Sequence, residues 1–161
     1  MLGEALAPVF SNTPVGKAVR LEDVWKSQAN TVVDLGDDVF TRGRPHPMID
    51  HRLRNERIAK EAADPATAVI LLDVVLGYGS HIDPAGEIVP VIAAAEKRAA
   101  KAGRNLIFVG FVCGTERDPQ NLSKQEAALR DAGMILCRSN AEAVRLAVKI
   151  AAGAVKARGA K

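Results

Sequence analysis

Aromatic residues are scarce in this chain: one Trp, one Tyr and four Phe make up 4% of 161 residues. Its core must therefore be aliphatic, and a hydrophobic share of 48% with much Ala and Val can supply one. Cysteine is almost missing. Cys113 and Cys137 have no CxxC spacing and no secretory leader before them, which argues against a disulfide framework and predicts free thiols in a reducing cytoplasm. Long apolar runs are missing too: "AVILLDVVLGYG" is interrupted by Asp73 and ends on glycines, short of the roughly 18 residues that cross a bilayer. No charge sign dominates. The net charge is +3, much of it in the terminal "KARGAK", so a basic face for nucleic acid is not expected.

What is present is an alternation. "NTVVDLG", "AVILLDVVL", "NLIFVGFV" and "MILC" read as strands near 30–35, 68–76, 105–112 and 134–137. Between and after them, "DHRLRNERIAKEAA", "PAGEIVPVIAAAEKRAAKAG", "SKQEAALRDAG" and "AEAVRLAVKIAAGAVKA" carry helical periodicity. The strands are nearly unbroken apolar runs, as expected of strands covered on both faces. Ser123 with Glu126 and Ser139 with Glu142 have capping-box spacing, Asp83–Pro84 offers an N-cap with a first-turn proline, and Gly103 and Gly133 stand where helices end. The class predicted is a single α/β domain, flavodoxin-like, with a doubly wound parallel sheet. It should span residues 30–157. Residues 1–29, with the turn-rich "APVFSNTPVG" and a weak helical hint at "LEDVWKSQA", read as an N-terminal arm or linker, and 158–161 as a disordered tail.

Ligands of such sheets meet the loops beyond the carboxyl ends of the strands. "GYGSHIDPAGEI" leaves a strand on glycines and enters a helix whose N-terminus favours an anion, so Gly77, Gly79, Ser80 and His81 are candidate phosphate or carboxylate ligands. The loop is neither a P-loop, lacking Gly-Lys-Ser/Thr, nor a GxGxxG turn, because Ile82 occupies the third glycine position. A plain strand-to-helix turn is the alternative. "TRGRPHPMID" adds Arg42 and Arg44, suited to forked recognition of an oxyanion, and His46, fixed between two prolines. Arg42 and Arg44 could instead pair with Asp37 and Asp38 to fasten the loop. His81 and His46 are the candidate catalytic groups, weighed against ordinary loop histidines. Asp34, Asp37, Asp38, Asp73 and Asp83 lack a readable metal-ligand spacing, so no metal is expected. Asp73 would need a partner if buried, and Cys113 reads as a small buried hydrophobe.

"ANTVVDLGDDVFTRGRPHPMID", "AVILLDVVLGYGSHIDPAGE" and "FVGFVCGTERDPQ" resemble the C-terminal domain of the bacterial FdrA proteins. More distantly, the same order resembles the CoA-ligase domain of the succinyl-CoA synthetase β subunit. The resemblance runs from about Ser11 to about Ala152. It implies a flavodoxin-like domain of acyl-CoA synthetase machinery, in which the turn at Gly77, Gly79 and Ser80, with the helix from Pro84, faces a phosphorylated histidine of an α-type subunit. The Gly-His-Ala-Gly setting of that histidine does not occur here, so His81 cannot take its place. CoA and ATP would enter only through partner domains. The expected protein is thus a fragment or separate subunit of an acyl-CoA synthetase-like or acyl/carbamoyl-transfer enzyme, inactive alone. It would pair with a second copy or an α-type CoA-binding subunit and take a small anionic substrate. A noncatalytic assembly or regulatory domain, or a carbamoyltransferase component in oxamate or ureide breakdown, is the alternative.

Overall fold

The structure, a computed structural model, describes residues 1–159 and forms two compact units, 1–46 and 47–161. In the first unit, helix α1 (Leu2–Ala5) precedes strands β1 (Val9–Ser11), β2 (Val19–Arg20) and β3 (Asn30–Val32), and helix α2 (Asp38–Thr41) follows. The strands form a parallel sheet in the order β2-β1-β3, with Phe10 paired to both Val19 and Thr31. Buried Asn12 ties the ends of β1 and β3 together: its amide donates to the Asp34 carbonyl at 3.0 Å and accepts from the Asp34 N–H at 2.9 Å. Trp25 meets Phe40 edge-on, with ring centroids 4.9 Å apart.

The second unit contains α3 (Arg52–Ala63), β4 (Val69–Val75), α4 (Pro84–Lys101), β5 (Ile107–Cys113), α5 (Leu122–Asp131), β6 (Ile135–Leu136) and α6 (Asn140–Gly159). Its sheet is parallel in the order β4-β5-β6, with Val69 opposite Ile107 and Val109 opposite Ile135. The helices flank it, α3 packing on α4 and α6 on β4 and β5. Val74, Ile88, Ile92, Phe108 and Leu129 are completely buried between these layers. Each such side chain contributes roughly 1.5–3 kcal/mol over an exposed one.

Parallel α/β architecture is what the sequence pattern predicts, and the four expected strands are all present with shorter or shifted ends. Their distribution differs. The strand expected at 30–35 spans Asn30–Val32 and pairs with β1, so the described residues form two three-stranded sheets instead of one continuous sheet. Residues 1–29, expected to be an arm, supply two of the first sheet's strands, of three and two residues, too short for periodicity to reveal. "LEDVWKSQA" forms turns and bends, not a helix. At α5 the N-cap is Asn121, which accepts from the Lys124 N–H, while Ser123 bonds to Glu116 instead of capping with Glu126. The caps at Asp83 and Ser139 and the positive-φ glycines Gly103 and Gly133 stand as expected. Of the tail expected at 158–161, residues 158 and 159 continue α6, and 160 and 161 lie outside the described residues.

One glycine bears directly on how closely the layers approach. A Cβ at Gly110, in the middle of β5, would run into the Leu72 carbonyl of the neighbouring strand and the terminal methyl of Met134. We expect Gly110→Ala to destabilise the protein by about 1–3 kcal/mol, read as a lowered urea midpoint at unchanged slope.

Candidate functional site

The turn between β4 and α4 is held from beneath by two buried amides. Gly77 takes φ 130, a conformation open to glycine, and both its backbone polar groups bond to one side chain. Gln120 accepts from the Gly77 N–H at 3.0 Å and donates to the Gly77 carbonyl at 2.8 Å and the His81 carbonyl at 2.9 Å. Gln125 does the same one turn on, accepting from the Ala85 N–H at 2.7 Å and donating to the Asp83 carboxylate at 2.9 Å. Asp83 caps α4 by accepting from the Gly86 N–H at 3.2 Å, and a Cβ on Gly86 would collide with that carboxylate. The Gln125 bond, with the Gly86 N–H, holds the Asp83 carboxyl below its ordinary range.

This wiring alters the expected anion cradle. Asp83 donates its N–H to His81 Nδ1 at 3.1 Å, Pro84 has none, and Ala85 and Gly86 are engaged by Gln125 and Asp83. The first donors of α4 are thus used inside the protein, because Asp83 and Gln125 already complete the cap. What the turn leaves to solvent is its tip. Tyr78 is 91% exposed, Gly79 is exposed with open space where a Cβ would lie, and neither backbone N–H has a partner among the described residues. Ser80 folds back, its N–H bonding to the Gly77 carbonyl at 3.2 Å.

The histidines have distinct settings. His81 Nδ1 accepts from Asp83, which leaves the proton of the neutral ring on Nε2 and makes this ring a hydrogen-bond donor. The lone-pair nitrogen that a phosphoryl acceptor requires is engaged. Met48 accepts the His81 N–H at 2.9 Å. His46 belongs to the first unit and lies exposed against Gly36, where a Cβ would come within 2.7 Å of its Nε2. Arg42 and Arg44, also in the first unit, are exposed and form no ion pair among the described residues. The expected fastening by Asp37 and Asp38 is therefore not made, since Asp37 caps α2 through the Val39 N–H instead. Asp73 is exposed, and so is Cys113, which corrects the reading of that thiol as a buried hydrophobe: it ends β5 at the sheet's rim. Among the described residues no three His, Cys, Asp or Glu side chains gather as a metal site, and no helix is long and apolar enough to cross a membrane.

Beside the turn lies a cluster that loop-centred reasoning passes over. His51, 3% exposed, occupies the N-cap position of α3 without a side-chain cap bond and stands with its ring centroid 5.0 Å from that of His81. Burial, then the neighbouring Arg54 and His81, push its pKa down to about 4. Arg54 Nη1 donates to the Asp73 carbonyl at 2.9 Å, and Asn55 Nδ2 to the Glu87 carbonyl at 3.2 Å. Burial pulls the Arg54 pKa below its ordinary value. The spacing of His51, Arg54 and Asn55, i, i+3 and i+4 on one helical face, is legible in "DHRLRNE"; their burial is not. Gln120 and Gln125 carry no sequence signal beyond lying after the third strand.

These features sit at the carboxyl ends of parallel strands in an α/β unit, where such folds keep their sites. The chain belongs to the CoA-ligase family, whose pattern it matches over residues 3–150. An uncharacterized protein of Escherichia coli (strain K12), YahF, is 46% identical over 132 residues, which cover 82% of this chain and 26% of that protein. The chain thus spans about a quarter of that relative's length.

Two outcomes follow from this wiring. Gln120→Ala leaves the Gly77 N–H and the His81 carbonyl without partners, while the Gly77 carbonyl keeps the Ser80 N–H, and we expect a loss of about 2 kcal/mol with faster amide exchange at Gly77. For His51, the unfolded chain takes up a proton near its ordinary value of 6.5 while the folded ring resists to about 4. Stability is then complete above about pH 6.5 and falls by up to about 3 kcal/mol towards pH 4. Urea titrations across that range should show this limb, and His51→Gln should flatten it.

Proposed function

We propose that the chain is a CoA-ligase-type subunit of an acyl-CoA synthetase-like or acyl/carbamoyl-transfer enzyme, and that its β4–α4 turn presents backbone donors to a phosphate or carboxylate group. The observation that carries this reading is the contrast within the turn. Its base is clamped by Gln120, while the N–H groups of Tyr78 and Gly79 at its tip have no partner among the described residues and the space where a Gly79 Cβ would lie is open. A rigid base with unpaired donors at its tip costs little reorganisation when an oxyanion arrives. The resemblance to the succinyl-CoA synthetase β subunit assigns the corresponding turn to a phosphoryl group, which agrees. Neither a nucleotide-grasping nor a CoA-binding segment is recognisable in the sequence, so ATP and CoA chemistry would be supplied by an α-type subunit or another partner domain. A cytoplasmic location fits such chemistry.

A second reading, an assembly domain without chemistry of its own, is favoured by one feature. Tyr78 at 91% and Ile82 at 71% exposure place two large apolar side chains on the same turn, a pattern that suits a protein partner.

Calorimetric titration of the full chain with phosphate, acetyl phosphate, carbamoyl phosphate, oxamate and succinate separates the two. Under the first reading at least one anion binds, and a ligand at 100 times its Kd raises stability by about 2.7 kcal/mol in thermal melts. Gly79→Val should weaken that binding by obstructing the tip. The Arg42→Ala/Arg44→Ala variant reports whether the cationic loop contributes, an equal affinity assigning it another role. Absence of all anion binding, with a stable complex formed by an α-type subunit, supports the assembly reading. We also expect no ATP-dependent CoA ligation by the purified chain alone.

A further inference from the structure

We propose that the first turn of α3, through His51, Arg54 and Asn55, is a binding site for a small carboxylate that carries its own hydrogen-bond donor. Four buried polar atoms on these three side chains have no partner among the described residues: His51 Nδ1, Arg54 Nε, Arg54 Nη2 and Asn55 Oδ1. Buried polar groups are ordinarily paired, and each orphan costs on the order of 1–3 kcal/mol. Four of them on one helical face mark a place where partners come from outside the chain.

The identity of the orphans specifies the ligand. Arg54 has used Nη1 on the Asp73 carbonyl. Its unpaired donors, Nε–H and Nη2–H, form the parallel edge of the guanidinium that matches the two oxygens of a carboxylate. No carboxylate of the described residues forms an ion pair with Arg54; the Asp73 charge acts on it without a direct contact, and its side-chain hydrogen bond goes to a neutral carbonyl. The other two orphans are acceptors. His51 Nδ1 is an acceptor in the tautomer that carries its proton on Nε2, and a bound O–H or N–H group selects that tautomer. Asn55 has committed Nδ2 to Glu87, so Oδ1 awaits a donor. Two donors around a cation and two acceptors beside it call for an oxyanion attached to an O–H or N–H group. A simple carboxylate would satisfy Arg54 and strand His51 and Asn55. His81, 5.0 Å from His51 between ring centroids, brings the β4–α4 turn to the edge of this cluster.

The site uses none of Gly77, Gly79 or Ser80, so it stands or falls separately from the anion reading of the turn. The test uses the full chain and three probes: glycolate, which has both features, acetate, which lacks the hydroxyl, and glycolamide, which lacks the charge. Heteronuclear NMR follows the Arg54 Nε–H and the His51 ring, with calorimetry for affinity. Glycolate should shift both signals saturably and bind at least about tenfold more tightly than either other probe, one charge-assisted bond being sufficient for that factor. Arg54→Lys keeps the charge and loses the fork. It should lower glycolate affinity about tenfold or more while leaving any phosphate affinity of the turn unchanged, and Asn55→Leu should reduce the preference for glycolate over acetate. The selectivity in the unaltered protein is read without any variant, so a folding defect cannot mask the result. No saturable glycolate binding at about 10 mM, or equal binding of glycolate by the Arg54→Lys protein, overturns the proposal and assigns the orphans to internal water.

Discussion

A single buried carboxamide organises this end of the molecule. Gln120 replaces, with one side chain, the ladder partner that Gly77 loses when the backbone leaves the sheet, and it reaches on to the His81 carbonyl. Backbone groups buried at a strand end must be paired somewhere. Here the partner comes from the connection after β5, 43 residues away, so the two crossover loops are fixed to one another before any ligand is considered. The position of the His81 ring, the cap at Asp83 and the exposed tip at Tyr78 and Gly79 all follow from that clamp.

Much of the architecture was legible because it depends on patterns several residues long. The apolar runs at β4 and β5, the Asp83–Pro84 start of α4 and the glycines at 103 and 133 all act through local chemistry that a sequence displays directly. Of the first sheet only β3 was legible. The sheet's strands are two or three residues each, and pairing among them depends on partners such as Asn12 and Asp34, 22 residues apart. Of the site, the glycine turn and His81 could be read because turns have a local signature. The two glutamines and the His51–Arg54–Asn55 face could not, because a polar residue on a loop or a helix reads the same whether it points at water or into a core. Burial is a tertiary property, and it is burial that makes these side chains unusual.

The same contrast governs the N-terminus of α4. A helix N-terminus attracts anions only while its N–H groups are unpaired. In α4 the attraction is met by a carboxylate of the chain itself, Asp83, with Gln125 beside it. What the sequence offers as a ligand cradle is in the structure a finished cap, and the binding we propose lies outward at the turn's tip and sideways at α3.

Asp73 has a consequence that lies outside the folded site. Strand β4 reads Val-Ile-Leu-Leu-Asp-Val-Val and is an edge strand of its sheet. Without the carboxylate it would be a seven-residue uncharged stretch rich in β-branched residues, the composition that stacks into cross-β fibrils when chains meet unfolded. Its partner β5 is far along the chain, so during synthesis β4 emerges well before anything can pair with it. An exposed charge in the middle of that segment costs the native sheet little and makes in-register stacking of identical nascent chains repulsive at every layer. The residue that interrupts the most hydrophobic strand thus guards the chain in the interval before the fold exists.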